Sequence, residues 1–151
     1  QPTDLDETNL ASIAAWRDEA CAPNLLAPQR LDVMDATWWV ERAPMPAPVT
    51  AVVNINMIHI APWPCCEALF SGAARLLSAG DAVLLYGPFK QGGEHTAPSN
   101  AAFDAQLRLQ DTRWGVRDIE AVIDMAEAQG VGYQTSIKMP ANNLMVLFRR
   151  G

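Results

Sequence analysis

Val49-Thr50-Ala51-Val52-Val53-Asn54-Ile55-Asn56-Met57-Ile58-His59-Ile60 is apolar almost throughout and rich in β-branched residues. A run of that kind suits a strand covered on both faces, as in a parallel sheet. Pro62 and Pro64 stop it and introduce a helix in which Leu69, Ala73, Leu76 and Leu77 line one face, and Gly80 closes that helix. A second buried strand, Ala82 to Tyr86, runs into the turn signal Gly87-Pro88. Strand, helix and strand in this order make a βαβ unit.

Working outward, Gln1 to Asp6 reads as the tail of a strand. Asp6, Glu7 and Thr8 supply a helix start, and Leu10, Ile13, Ala14, Trp16 and Ala20 continue it until Pro23-Asn24. Leu31-Asp32-Val33 is a short strand candidate, followed by a loop punctuated by Pro44, Pro46 and Pro48. Downstream, Phe89 to Asn100 is polar, with Gly92-Gly93, and reads as a long loop. Ser99 or Asn100 then caps a helix containing Phe103, Leu107 and Leu109. A further helix runs from about Arg117 to Gln129, with Ile119, Val122, Ile123 and Ala126 on its core face and Gly130 closing it. Tyr133 to Lys138 and Leu144 to Phe148, joined through Pro140-Ala141-Asn142-Asn143, form a closing antiparallel hairpin. Alternating β and α units predict an α/β domain over 1–151: a three-layer, doubly wound, mainly parallel sheet ending in that hairpin.

The chain has 151 residues, 50% hydrophobic and 19% charged, enough for one core and too apolar for disorder. Its formal charge of −6 repels polyanions, so nucleic acid is not a default partner. No run of about twenty apolar residues offers a membrane span. Cys21 and the pair Cys65-Cys66 make a poor disulfide framework and imply a reducing, cytoplasmic setting, with no CxxC metal pattern. The vicinal pair reads as packing near a helix start.

Several strings, in order, carry a resemblance: Asn56-Met57-Ile58-His59-Ile60-Ala61-Pro62-Trp63, Tyr86-Gly87-Pro88-Phe89-Lys90, His95-Thr96-Ala97-Pro98-Ser99-Asn100 with Phe103-Asp104, Trp114-Gly115-Val116-Arg117-Asp118, and Met139-Pro140-Ala141-Asn142-Asn143-Leu144. The chain resembles the methyltransferase-like family called domain of unknown function 938 (the methyltransferase-like 26 type). The doubly wound sheet with its hairpin is similar to the class I S-adenosylmethionine-dependent methyltransferase fold, which is Rossmann-like. That fold opens with a strand and a glycine-rich turn; here the only adjacent glycines, Gly92-Gly93, lie elsewhere. The resemblance therefore implies an N-terminally incomplete domain lacking at least one βα unit of roughly thirty residues. The absent strand would be central, beside both Gln1–Asp4 and Val49–Met57.

By the same resemblance, Asp4, with Asp6 as fallback, holds the cofactor's ribose hydroxyls, since a carboxylate accepts from both members of a diol. Asp32 meets the adenine amino group. Both also read as ordinary helix-start and turn residues. Ligands of open α/β sheets bind at the carboxyl edge. Asn54, Asn56 and Met57 fall there and complete the cofactor set, with Asn54 and Asn56 on one strand face and Val53, Ile55 and Met57 on the other. His59 is the candidate base, because its free pKa lies near neutrality, or else a packed structural histidine. Trp63 walls the substrate pocket or packs on the helix that follows. Tyr86, His95, Ser99 and Asn100, near Asp104, cluster on the substrate side, and the long loop they share reads as a lid or binding loop. Arg117 and Asp118 pair or start the next helix.

The expected function is S-adenosylmethionine-dependent methyl transfer to a small molecule or a protein group, in a chain able to form a homo-oligomer. A catalytically silent domain that binds partners on the same fold is the alternative.

Overall fold

In the computed structural model, which describes residues 1–43 and 45–151, the carboxylate of Asp6 accepts the backbone N–H groups of Thr8 and Asn9 (2.7 and 3.2 Å). That cap starts α1 (Glu7–Ala20), immediately after strand β1 (Thr3–Asp4). Pro44, assigned above to the proline-rich loop, lies outside the described residues.

The chain forms two compact units, Gln1–Pro44 and Met45–Gly151. In the first, β1 pairs in parallel with β2 (Gln29–Arg30), Asp4 standing opposite Arg30. The strand expected at Leu31–Val33 thus falls two residues earlier. Leu31 still donates its N–H to the Asp4 carbonyl (3.0 Å), but the Asp32 carboxylate accepts from the N–H of Met34 (2.9 Å) and turns the chain away from the ladder.

The second unit opens on β3 (Ala51–Ile55), shorter than the expected Val49–Ile60 strand. Asn56 takes left-handed backbone at φ 59°, which ends the strand, and Met57–His59 form a 3-10 turn. Helix α2 (Pro64–Leu76) begins with its proline at the first position, as expected. Then come β4 (Ala82–Gly87), β5 (Phe89–Gln91), β6 (Glu94–His95), α3 (Pro98–Gln110), β7 (Arg117–Asp118), α4 (Ile119–Ala128), β8 (Val131–Met139) and β9 (Asn143–Arg150).

The main sheet runs β3-β4-β9-β8; β3 and β4 are parallel, while β4–β9 and β8–β9 are antiparallel. A small sheet, β6-β5-β7, pairs β5 with β6 antiparallel and with β7 parallel. The four-stranded and three-stranded sheets are therefore mixed, not mainly parallel. The closing hairpin stands where the sequence puts it.

One face of the main sheet makes the core. Val83, Leu85, Val146 and Phe148 are buried there, with Phe70 of α2 meeting Phe148 edge-to-face at 5.2 Å and Val122 and Ala126 of α4 fully enclosed. Along β3 the core face presents Asn54, while Val53 and Ile55 are 59% and 63% exposed, so the expectation that β3 is covered on both faces does not hold. Cys66 is buried in α2, which supports its reading as packing. No helix among the described residues is long and apolar enough to cross a membrane.

The stretch 89–100, expected as a loop, contains a hairpin. Gln91 and Glu94 pair across Gly92-Gly93, and both glycines have positive φ (58° and 81°), the geometry of a tight two-residue turn. The Gly92 and Gly93 N–H groups donate to Glu120 and Asp118 at the start of α4 (3.2 and 2.6 Å), so the turn is tethered.

Candidate functional site

In the first unit, Asp4 is the last residue of β1 and Asp32 stands just past the end of the parallel β2. Asp4 Oδ1 accepts from the Asp6 N–H (2.9 Å) and from Asn9 Nδ2 (3.2 Å), which fixes the carboxylate and leaves Oδ2 without a partner among the described residues. Asp32 uses one oxygen on Met34 N–H and keeps the other free in the same sense. Asp6, the fallback for Asp4, is committed to capping α1, and its backbone bonds from Asn9 and Thr8 hold its carboxyl below the usual range.

In the second unit the carboxyl ends of β3 and β4 gather Asn56, Tyr86 and Gly87. Asn56 donates its N–H to the Tyr86 carbonyl (2.9 Å), which continues the β3–β4 ladder by one bond. Asn54, one residue inside the strand, is buried, and its Oδ1 has no hydrogen-bond partner among the described residues. Met57 opens the 3-10 turn that follows. Asn56 leaves the strand with left-handed backbone, so the alternation expected for 53–57 stops at Ile55.

His59 is fully enclosed. Its ring meets Phe89 edge-on at 5.0 Å, its carbonyl accepts the Gly115 N–H (2.9 Å), and Nδ1 faces the Arg117 N–H at 3.4 Å. Burial, with the Arg117 guanidinium nearby, lowers its pKa to about 4, so the ring is neutral near pH 7. With Nδ1 accepting, the proton sits on Nε2, which has no partner among the described residues and packs against Gly87, where a Cβ would lie 2.7 Å away. A neutral, enclosed imidazole of this tautomer is a weak base.

Arg117 pins the turn that carries His59. Its guanidinium donates to the carbonyls of Ile58 (2.9 Å), Ala61 (2.6 Å) and Arg113 (2.9 Å) and lies 5.7 Å from the centroid of the half-buried Trp63 ring. Arg117 therefore neither pairs with Asp118 nor starts the helix as expected. It belongs to β7, and Asp118 caps α4 by accepting the Glu120 N–H.

Ser99 and Asn100 do not cap α3; the cap position is Ala97 and Pro98 holds the first turn. Their side chains instead reach the β8–β9 connection. Asn100 Nδ2 donates to Thr96 Oγ1 (3.1 Å) and to the Asn142 carbonyl (3.0 Å), and Asn142 Nδ2 donates to Ser99 Oγ (3.1 Å). Asn143 Nδ2 donates to the Tyr86 hydroxyl (3.1 Å). Tyr86, Ser99 and Asn100 thus share one network, and Asn142 and Asn143 are the members that sequence reasoning missed. The signal was present as two consecutive asparagines after Pro140, read above only as turn chemistry.

His95 lies apart from that network. Its Nε2 is 3.6 Å from the Asp104 carboxylate, which also accepts from Arg108 Nε (3.0 Å) and from the Val116 N–H (2.7 Å), with Lys90 Nζ at 4.0 Å. Burial pushes the Asp104 carboxyl up, but the Arg108 and Val116 hydrogen bonds and the charges of Arg108 and Lys90 outweigh it and hold it below the usual range.

A family model described as "Protein of unknown function (DUF938)" matches residues 1–150. The chain belongs to the DUF938 family. Among solved structures, this DUF938 chain is similar to the pyocyanin biosynthetic protein PhzM (TM-score 0.74, 13% identity, 99% of this chain and 42% of that one). It is also similar to an O-methyltransferase family 2 protein from Planctomyces limnophilus in complex with apigenin (TM-score 0.75, 20% identity, 94% and 40%). A third similar structure is human N-acetylserotonin methyltransferase in complex with S-adenosylmethionine (TM-score 0.67, 14% identity, 90% and 37%). The DUF938 chain spans less than half the length of each, and the shared property is the α/β fold of S-adenosylmethionine-dependent methyltransferase structures.

Proposed function

We propose that this DUF938 chain forms part of an S-adenosylmethionine-dependent methyltransferase. The observation that carries this is the placement of Asp4 at the end of β1 and of Asp32 just past the end of the parallel β2, each with a carboxylate oxygen free among the described residues. Asp4 would accept from the ribose diol and Asp32 from the adenine amino group. In the second unit taken by itself, Asn54, Asn56 and Met57 stand at the end of β3, and the unpartnered Asn54 Oδ1 is a group that a ligand donor would satisfy. When bound, S-adenosylmethionine supplies an electrophilic methyl group on a sulfonium. Tyr86, Ser99 and Asn100, with Trp63 and His95 further out, would position the acceptor, and alignment is the larger part of catalysing an in-line displacement.

His59 is the group proposed from sequence as the base. Its enclosure and its neutral, Nε2-protonated ring support instead a positioning part, in which it sets the close approach of Gly87 and the Asn56 turn. The same enclosure favours the second reading, a catalytically silent domain of this fold.

Calorimetric titration with S-adenosylmethionine tests the reading. Binding that Asp4→Ala weakens at least tenfold supports it. A folded protein that takes up no cofactor overturns it.

A further inference from the structure

In the first unit, Arg30, Thr37, Trp39 and Arg42 are among the residues lining a cavity of about 440 Å³, a size that suits a small molecule. Arg30 is the last residue of β2 and stands in register with Asp4. No ion pair joins the two, because the Asp4 carboxylate is held by the Asp6 N–H and by Asn9. Arg42 follows the 3-10 turn Trp39–Glu41, and its N–H donates to the Trp39 carbonyl (2.9 Å). Neither guanidinium has a hydrogen bond or ion pair among the described residues.

Asp35 lines the same cavity, exposed and likewise without a partner among the described residues. Two guanidiniums against one carboxylate leave the wall net positive, in a chain whose formal charge is −6. Free guanidiniums on a concave wall call for an anion. One donor fork takes up both oxygens of a carboxylate. Two forks and the Thr37 hydroxyl call for the larger set of acceptor oxygens on a phosphate ester. Trp39 adds a flat wall, and its Nε1–H is buried without a hydrogen-bond partner among the described residues. Such a donor favours an acceptor-rich ligand, and the ring suits an aromatic body on it. The overall charge of the chain opposes a nucleic acid.

We propose that this cavity binds a small aromatic phosphate monoester, with Arg30 and Arg42 gripping the phosphate and Trp39 lying against the ring. Neither Asp4 nor Asp32 lines the cavity, so the site stands independently of the methyl-transfer reading.

Titration of the full chain with phenyl phosphate, inorganic phosphate and benzoate tests the site, followed by NMR at the Trp39 indole N–H (assigned with Trp39→Phe). Phenyl phosphate is expected to move that signal and to bind about tenfold tighter than benzoate, since its extra oxygens engage the second fork. It should also bind more tightly than inorganic phosphate, which has no ring. Arg30→Gln and Arg42→Gln each lower its affinity about tenfold; both residues are exposed, and an unchanged melting midpoint shows that the fold is kept. Arg42→Lys, which keeps the charge and loses the fork, recovers only part of the loss. Asp35→Asn raises the affinity by removing a like charge. Equal affinities for phenyl phosphate and benzoate, no gain over inorganic phosphate, an Arg42→Gln chain that binds as the wild type does, or an unmoved Trp39 signal each overturn the proposal. Tighter binding of a single-stranded oligonucleotide also overturns it. S-adenosylhomocysteine added to the same samples separates the two readings. If it displaces phenyl phosphate, the arginines belong to the cofactor end and the proposal falls; if it does not bind while phenyl phosphate does, only the methyl-transfer reading fails.

Discussion

The side-chain amide of Asn100 donates to the main-chain carbonyl of Asn142, 3.0 Å away across 42 residues of sequence. That bond ties the first turn of α3 to a strained connection, because Ala141 and Asn142 both have left-handed backbone (φ 58° and 60°). The β8–β9 hairpin is thereby held against the carboxyl end of the sheet, where Asn143 reaches Tyr86.

Asn100→Ala removes both bonds of a buried amide, one to Thr96 and one to Asn142. A loss of about 1–3 kcal/mol of unfolding free energy is expected. Chemical denaturation measures it, and faster amide exchange at 140–143 shows that the hairpin connection is what loosens.

Stability should fall as the pH is lowered past His59. Its folded pKa, about 4, lies below its unfolded value near 6.5, so between those values the unfolded chain binds the extra proton. The contribution is fully present above pH ~6.5 and is lost progressively down to pH ~4, by about 3 kcal/mol in all. Asp104, a carboxyl held low, loses its contribution at more acidic pH, so the two windows separate. Denaturation midpoints across this range for the wild type and His59→Leu check the assignment; the variant is expected to lack the slope.

Gly87→Ala places a methyl 2.7 Å from His59 Nε2 and 2.8 Å from Asn56 Oδ1. Overpacking of this kind costs about 1–3 kcal/mol. His59→Ala should relieve part of it, so the double variant is expected to be more stable than the two single losses added together. A strictly additive cycle would show that the contact does not constrain Gly87.

Thiol labelling should rank the cysteines. Cys21 is exposed, whereas burial pushes the Cys66 thiol up to about 12. The thiolate is the reactive form, so at pH 8 Cys21 is modified in the native chain and Cys66 only after unfolding. Mass mapping after a short exposure to iodoacetamide reads the order.

Much of the fold was legible because it rests on local signals. Pro64 starts α2, the Val49 stretch and Ala82–Tyr86 form the parallel pair, and the closing hairpin follows from two apolar runs around Pro140. The errors have local causes too. Asp32 took the Met34 N–H into its own turn, so that β2 ends before it, and the Gly92-Gly93 turn made a hairpin of what read as a loop. The places of Asp4, Asn56 and Tyr86 at strand ends were readable from the sequence. Asn142, Asn143 and Arg117 were not, because their roles depend on partners 43, 57 and 59 residues away.

By itself the sequence determined which segments are strand or helix and which polar residues stand at strand ends, since periodicity and punctuation act over a few residues. Only the tertiary structure decided what those polar groups can do. It enclosed His59 and made it neutral, and it brought the Asn143 amide within hydrogen-bond distance of both the Tyr86 hydroxyl and the Pro140 carbonyl. Burial and hydrogen-bond direction are properties of neighbours far apart in the chain, and a linear pattern carries neither.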